Sequence, residues 1–334
     1  MKISIIGSGS FGTALGMMLA EAGHSVCLWS YSQAKYDDLI KHKENRKSLP
    51  GFVIPENVRH TADIKECADA AVIVCALPSF AVRQVMSSLK PYVKNQQIIV
   101  NVSKGLETDT FNTLSKVILE ELPNCDVAVM SGPSHAEEVA AKLPTTNVVA
   151  AKSVKTAHII QDAFMTRFFR VYTNDDMLGA ELGGSLKNVI ALCAGISDGL
   201  GFGDNTKAAL ITRGMYEIAK LGTALGAKAE TFGGLCGIGD LIVTCTSRHS
   251  RNWRAGFLIG QGKTADEAKA EIKMVIEGIN TCRAAKFLSD KMNIEMPITN
   301  EAYAVLFENK PAMEATMSLM QRNKKHETEK GFLG

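Results

Sequence analysis

Residues 2–12 read KISIIGSGSFG, a short β-branched run that breaks directly into three glycines, Gly7, Gly9 and Gly12. The run has the composition of a buried strand, and TALGMMLAEAG after it has the pattern of an amphipathic helix. Outward from this point the rhythm repeats. HSVCLWS, AAVIVCAL, QQIIVNVS, DVAVMSG and TNVVAA are strand-like runs set between amphipathic stretches, and RFFRVYTND ends the series near residue 175. Such alternation is the signature of a parallel sheet covered by helices on both faces. Beyond it long helical patterns take over, broken by glycine clusters at 199–203 and 233–239. These are either hinges or tight turns between packed helices. The expected fold is therefore an α/β, Rossmann-like doubly wound sheet over residues 1–176, followed by an all-helical domain over residues 177–334.

The chain has 334 residues, ample for two domains of the usual size of about 100 to 200 residues. Its 37 basic and 35 acidic residues nearly cancel, so no whole-molecule field gathers nucleic acid or an anionic membrane. Any anion must be held by a local site. No window approaches the roughly 20 apolar residues of a membrane span, and the amino terminus lacks the long apolar region of a signal peptide. The eight cysteines show no C-x-x-C pair, and several lie in apolar runs. They read as buried thiols of a cytoplasmic protein. No H-x-x-x-H or H-E-x-x-H spacing calls for a metal. The end, QRNKKHETEKGFLG, reads as a solvated, frayed tail.

G-x-G-x-x-G between a first strand and a first helix is a dinucleotide-binding pattern. Gly7 permits the turn, Gly9 lets the backbone approach a pyrophosphate, and Gly12 lets helix and strand pack closely. The second strand ends at Trp29-Ser30-Tyr31-Ser32, where an NAD binder usually offers a carboxylate to the ribose. None stands there, so a 2′-phosphate is tolerated, with Ser30, Ser32 and Lys35 as donors. No arginine is at hand to clamp it. The cofactor is thus NADP or NAD.

The chemistry must come from elsewhere. Lys104, in IIVNVSKGLET, follows a strand at the sheet edge where ligands bind, although a plain surface lysine would read the same way. Gly132 and Ser134, in VAVMSGPSHAEEVA, sit similarly and suit an anion; His135 beside them need only start a helix. In LGGSLKNVIALCAG, Leu182, Leu186, Val189, Ile190, Cys193 and Ile196 form an apolar face. Ala180, Gly184, Lys187, Ala191 and Gly195 form the opposite one. So small a face admits another helix or a bound ligand. The ligand reading is preferred, because a lysine in a dry groove needs a polar partner. Asp240 is a candidate partner, with Thr244 at helical spacing, and Arg251 with Asn252 suits a phosphate. Two neighbouring lysines lower each other's pKa, and each is suited to a developing alkoxide. A small phosphorylated substrate is expected.

Taken together, GSGSFGTAL, VSKGLET, SGPSHAEEVA, LGGSLKNVIAL, GISDGLGFGDNTKAALITRG, GIGDL, TCTSRHSRN and VIEGINT resemble, in order over residues 7–281, the bacterial NAD(P)-dependent glycerol-3-phosphate dehydrogenases. The resemblance implies interconversion of sn-glycerol 3-phosphate and dihydroxyacetone phosphate for glycerophospholipid synthesis. It makes Lys187 the proton acceptor and places Lys104 against substrate and cofactor. Gly132, Ser134, Asp240, Ser250, Arg251 and Asn252 then hold substrate, and Ser10, Phe11, Ala136, Arg251, Val275 and Glu277 line the NADPH site. Relatives often carry a basic residue where this chain has Tyr31, which leaves the NADPH preference open. Two other readings are a 6-phosphogluconate or β-hydroxyacid type dehydrogenase and a non-enzymatic NADH-sensing module. A homodimer is the base-rate expectation for assembly.

Overall fold

Ten strands form in the amino-terminal half: β1 (Lys2–Ile6), β2 (Ser25–Trp29), β3 (Glu44–Asn45), β4 (Leu49–Val53), β5 (Val58–Thr61), β6 (Val72–Cys75), β7 (Ile98–Asn101), β8 (Asp126–Ser131), β9 (Thr145–Ala151) and β10 (Phe169–Asn174). The structure is a computed structural model, and it describes residues 1–327. Eight strands make one sheet in the order β10-β9-β8-β7-β6-β1-β2-β5, and β3 pairs with β4 separately. The chain divides into two compact units, Met1–Met177 and Leu178–Gly334.

Both faces of the sheet are buried, which is why its strands read as continuous apolar runs. Within β6 the side chains alternate. Val72 and Val74 join one apolar cluster with Ile3, Ile5 and Leu15, while Ile73 and Cys75 join a second with Ile6, Met86 and Ile99. The sheet departs from the all-parallel expectation at one place, since β8 and β9 run antiparallel. The reason lies in their connection. Its helix, Ala136–Ala140, has five residues, or about 7 Å of rise, against about 20 Å for the strand it would have to travel back along. The chain therefore turns at Lys142, in left-handed conformation at φ 59°, and re-enters from the same edge. The strand Val58–Thr61 has no counterpart among the runs expected from the sequence. It is an edge strand carrying Arg59 and His60, and its apolar signal is weak.

In the second unit the described residues form helices and turns alone. The 23-residue helix Met177–Gly199 is almost wholly buried from Gly179 to Ser197. Its neighbour, Arg251–Gly260, lies backbone to backbone against it: a Cβ on Gly195 would stand 2.0 Å from the Trp253 carbonyl oxygen, and one on Gly256 would stand 1.9 Å from that of Leu192. The end of the chain differs in part from the frayed tail expected. Residues 321–327 are exposed, yet Arg322 and Lys325 both pair with Glu295; residues 328–334 lie outside the described residues. Six of the eight cysteines are buried thiols as read, and Cys125 and Cys193 are half-buried.

Candidate active site

In the amino-terminal unit the three glycines differ in what they permit. Gly7 has φ +117°, and a Cβ there would meet the Ala76 carbonyl oxygen at 2.4 Å. A Cβ on Gly12 would stand 2.0 Å from the Gly7 carbonyl oxygen, so this residue sets how closely helix Ser10–Glu21 packs on β1. Gly9 has nothing within 4 Å. Space is therefore left over the turn, at a helix start with no side-chain cap and no acidic residue in its first turn. Free N–H groups and the positive dipole end face that space, which fits a pyrophosphate.

One residue outside the glycine motif fastens this turn. Asn45, fully buried, donates from Nδ2 to the Ser8 carbonyl oxygen at 3.0 Å and to Thr13 Oγ1 at 2.8 Å, while its Oδ1 accepts from Lys35. The donors expected after β2 are otherwise engaged: Ser30 Oγ lies 2.8 Å from Ser8 Oγ, Ser32 Oγ caps the next helix, and Lys35 is on Asn45. Tyr31 is exposed. Ser10 hydroxyl donates to the Ser48 carbonyl oxygen at 2.6 Å, and Phe11 packs against the core beside it.

Further along the same edge Lys104 Nζ donates to the Gly132 carbonyl oxygen at 2.9 Å, and Ser134 Oγ donates to that oxygen at 3.0 Å. Gly132 has φ +149°, with Asn147 packed against its Cα. His135 immediately precedes the short helix that starts at Ala136. The fold thus brings Lys104, Gly132 and Ser134 to one point.

In the carboxyl-terminal unit Lys187 is 4% exposed. Its ammonium donates to the Asp240 carboxylate and, at 2.7 Å, to Thr244 Oγ1; the Thr244 hydroxyl donates in turn to the Asp240 carbonyl oxygen at 2.6 Å. Asp240 opens the helix Asp240–Thr246, so that residues 240 and 244 share a face, and a π-helical turn at Leu235–Gly239 leads into it. The second glycine cluster is that turn, with Gly237 tight against the Phe232 carbonyl. The small-residue face around Lys187 is corrected at one position. Gly195 is covered by helix Arg251–Gly260, and Gly183, which the expected face does not include, by the π-helical turn. Close packing of backbone, rather than a bound ligand, accounts for Gly195.

The segment after Asp240 is also more divided than expected. Ser250 is the helix cap, accepting from Trp253 N–H at 3.2 Å. Asn252 is braced, donating to Asn188 Oδ1 at 2.8 Å and accepting from Gly278 N–H at 2.9 Å, next to Glu277. Arg251 is exposed and donates to the Val275 carbonyl oxygen at 3.3 Å. Asn188, which follows Lys187, is not among the residues expected at the site, although the LKN run holds it in view. Among the described residues there is no cluster of His, Cys, Asp or Glu that could hold a metal, and no helix is long and apolar enough to cross a membrane.

Comparison with known proteins decides which chemistry this apparatus serves. Residues 2–157 match the model of the NAD-dependent glycerol-3-phosphate dehydrogenase N-terminus, and residues 176–317 that of its C-terminus. The chain belongs to this family. It is 55% identical to a glycerol-3-phosphate dehydrogenase [NAD(P)+] of Agathobacter rectalis, over 98% of this chain and 97% of that one. The crystal structure of the Coxiella burnetii glycerol-3-phosphate dehydrogenase is similar at TM-score 0.93 and 39% identity, covering 96% of this chain and 99% of that one. A D-mandelate dehydrogenase, at 13% identity and TM-score 0.62, shares the fold alone. The family member is an NAD(P)-dependent oxidoreductase that interconverts glycerol 3-phosphate and dihydroxyacetone phosphate.

Proposed function

We propose that Lys187 is the group that exchanges the C2 hydroxyl proton, with Asp240 and Thr244 as the residues that aim it. The observation that carries this is a buried ammonium held by a carboxylate and a hydroxyl on one helix face. In oxidation of glycerol 3-phosphate the neutral amine takes the proton from the C2 oxygen; in reduction the ammonium returns it to the developing alkoxide. When bound, the dinucleotide takes up or delivers the hydride. Lys104, beside Gly132 and Ser134, steadies the oxyanion. Arg251 grips a phosphate, and Asn252, fixed by Asn188 and Gly278, orients the start of that helix.

For the cofactor, Gly7, Gly9 and Gly12 with Ser10 and Phe11 hold the dinucleotide, joined by Lys104, Ala136, Arg251, Val275 and Glu277. NADPH is the preferred form, supported by the lack of a carboxylate after β2 to repel a 2′-phosphate. The reaction supplies glycerol 3-phosphate for glycerophospholipid synthesis in the cytoplasm, and a homodimer is the expected assembly.

The test follows NADPH and NADH absorbance on adding dihydroxyacetone phosphate to the parent and to Lys187→Met. The expected result is rapid loss in the parent alone, faster with NADPH. Equal rates in the two proteins would remove Lys187 from proton transfer. Faster turnover of a carboxylate-bearing keto acid would overturn the phosphate role of Arg251.

A further inference from the structure

A cavity of about 330 Å³ opens within the carboxyl-terminal unit, and none of Lys187, Asp240, Thr244, Arg251 or Asn252 lines it. It lies among four helices: the long helix Met177–Gly199, Asp204–Ala224, Pro297–Phe307 and Ala312–Met320. Its wall is largely aliphatic, with Ile196, Leu210, Ile298, Val305 and Leu319. One residue shows that solvent enters. From Gly179 to Ser197 every residue of the long helix is buried except Cys193, which lines this cavity. A side chain in the middle of a buried helix meets water only through such an opening.

The rim is charged, and cations predominate. Arg213, Lys220, Arg322 and Lys325 line it, against the carboxylates of Glu295 and Glu301. Glu295 is shared between Arg322 and Lys325, and Glu301 is held by Lys310, which is not a lining residue. The third lining carboxyl, Glu217, is buried and turned to the start of helix Pro297–Phe307, where it accepts from Ile298 N–H, Thr299 N–H and the Thr299 hydroxyl. Arg213 is exposed. Its guanidinium lies 4.6 Å from the centre of the Tyr216 ring and donates to the Glu327 carbonyl oxygen at 2.8 Å, and it has no carboxylate partner among the described residues.

Sites for small molecules are concave and mostly apolar, with a few polar groups that fix orientation, and they span about 300–1,000 Å³. An aliphatic interior takes hydrocarbon, and a rim with surplus cations takes an anion. We propose that this cavity binds a single-chain amphiphile, with its hydrocarbon between the four helices and its anionic head at Arg213. The site is separate from the proton-transfer and nucleotide readings above and does not rest on them.

The experiment alkylates the full chain with N-ethylmaleimide and follows the modified Cys193 and Cys125 peptides over time, with decanoate as the probe. Cys125, the other half-buried thiol, lies in the amino-terminal unit and serves as the internal control. The expected result is a saturable slowing at Cys193 with Cys125 unchanged. Decanol and decyltrimethylammonium, of the same chain length, protect only at roughly ten- to hundredfold higher concentration, the worth of a charge-assisted hydrogen bond. Arg213→Gln, at an exposed position, weakens protection by decanoate and leaves that by decanol unchanged. Equal Cys193 rates with and without decanoate would overturn the site, as would a Cys193 that reacts only in the unfolded chain. Equal protection by all three probes would overturn the anionic head. Slowing by rising protein concentration alone would give the cavity to a second copy, and reaction or protection seen only after residues 328–334 are removed would give it to the chain's own end; either overturns the proposal. Protection is read on the parent, so the main result does not depend on a variant.

Discussion

Replacing Lys187 by methionine separates what the Lys187–Asp240 pair does for the fold from what it does for the reaction. The two side chains are 6% and 1% exposed, so the pair sits out of water. Methionine matches the length of the lysine stem but takes away the cation facing a buried carboxylate. Removing one member of such a pair costs about 3–5 kcal/mol, far more than the pair contributes against an apolar substitute. For a unit of this size that corresponds to roughly 6–20 °C in melting temperature. Replacing Asp240 by asparagine in the same chain removes the stranded charge. An amide short of partners costs about 1–3 kcal/mol, so the double variant Lys187→Met/Asp240→Asn melts above the single one. Turnover behaves differently. Loss of a general acid–base group costs about a hundredfold or more, and the double variant recovers none of it. Calorimetry and the absorbance assay, run on parent, both single variants and the double, complete the cycle. A single variant retaining a tenth of parental turnover would refute the proton-transfer argument. A double variant melting below Lys187→Met would refute the charge argument.

The glycines give a second, internally controlled test. Gly9→Ala leaves melting unchanged, since nothing lies within 4 Å of its Cβ, and raises the dinucleotide KM; Gly12→Ala, whose Cβ would stand 2.0 Å from the Gly7 carbonyl oxygen, lowers melting as well. Arg251→Ala, at an exposed site, shifts stability by less than about 0.5 kcal/mol. It raises the KM for a phosphorylated ligand by roughly ten- to hundredfold, the worth of a charge-assisted hydrogen bond of about 1.5–3 kcal/mol. Glu217 provides the pH test. Burial pushes its carboxyl up to about 7, against the hydrogen bonds it accepts from Ile298 N–H, Thr299 N–H and the Thr299 hydroxyl. With the folded value raised above the unfolded one, its contribution is full below about pH 4.5 and is lost as pH rises through about 7. The parent therefore loses stability relative to Glu217→Gln between pH 5 and pH 8, by about 2.5 kcal/mol, and its melting temperature falls accordingly; parallel melting curves would contradict the raised value.

What can be read from the sequence, and what cannot, divides along a physical line. The sheet is legible because each strand buries both faces, and so writes itself as an apolar run; Val58–Thr61, an edge strand with three polar positions, writes no such run. Lys187 and Asp240 can be joined because a charged residue inside an apolar helix must find an opposite charge, and Thr244 then follows from helical spacing. Asn45 and Asn188 escape notice for a converse reason. Each serves as a bracket between segments: Asn45 between the short strand β3 and the glycine turn, Asn188 between the long helix and Asn252. Nothing in the local pattern marks a bracket, because an asparagine amide is satisfied by backbone and side-chain groups of many kinds and so announces no particular partner. The small face on the long helix misleads for a related cause. Glycine makes room, but its sequence does not say for what, and here the covering group is another helix backbone. Residues whose burial would be costly without one particular kind of partner are therefore the ones whose contacts a sequence discloses. Those that satisfy generic backbone groups, or simply give way, disclose their place only when the fold is built around them.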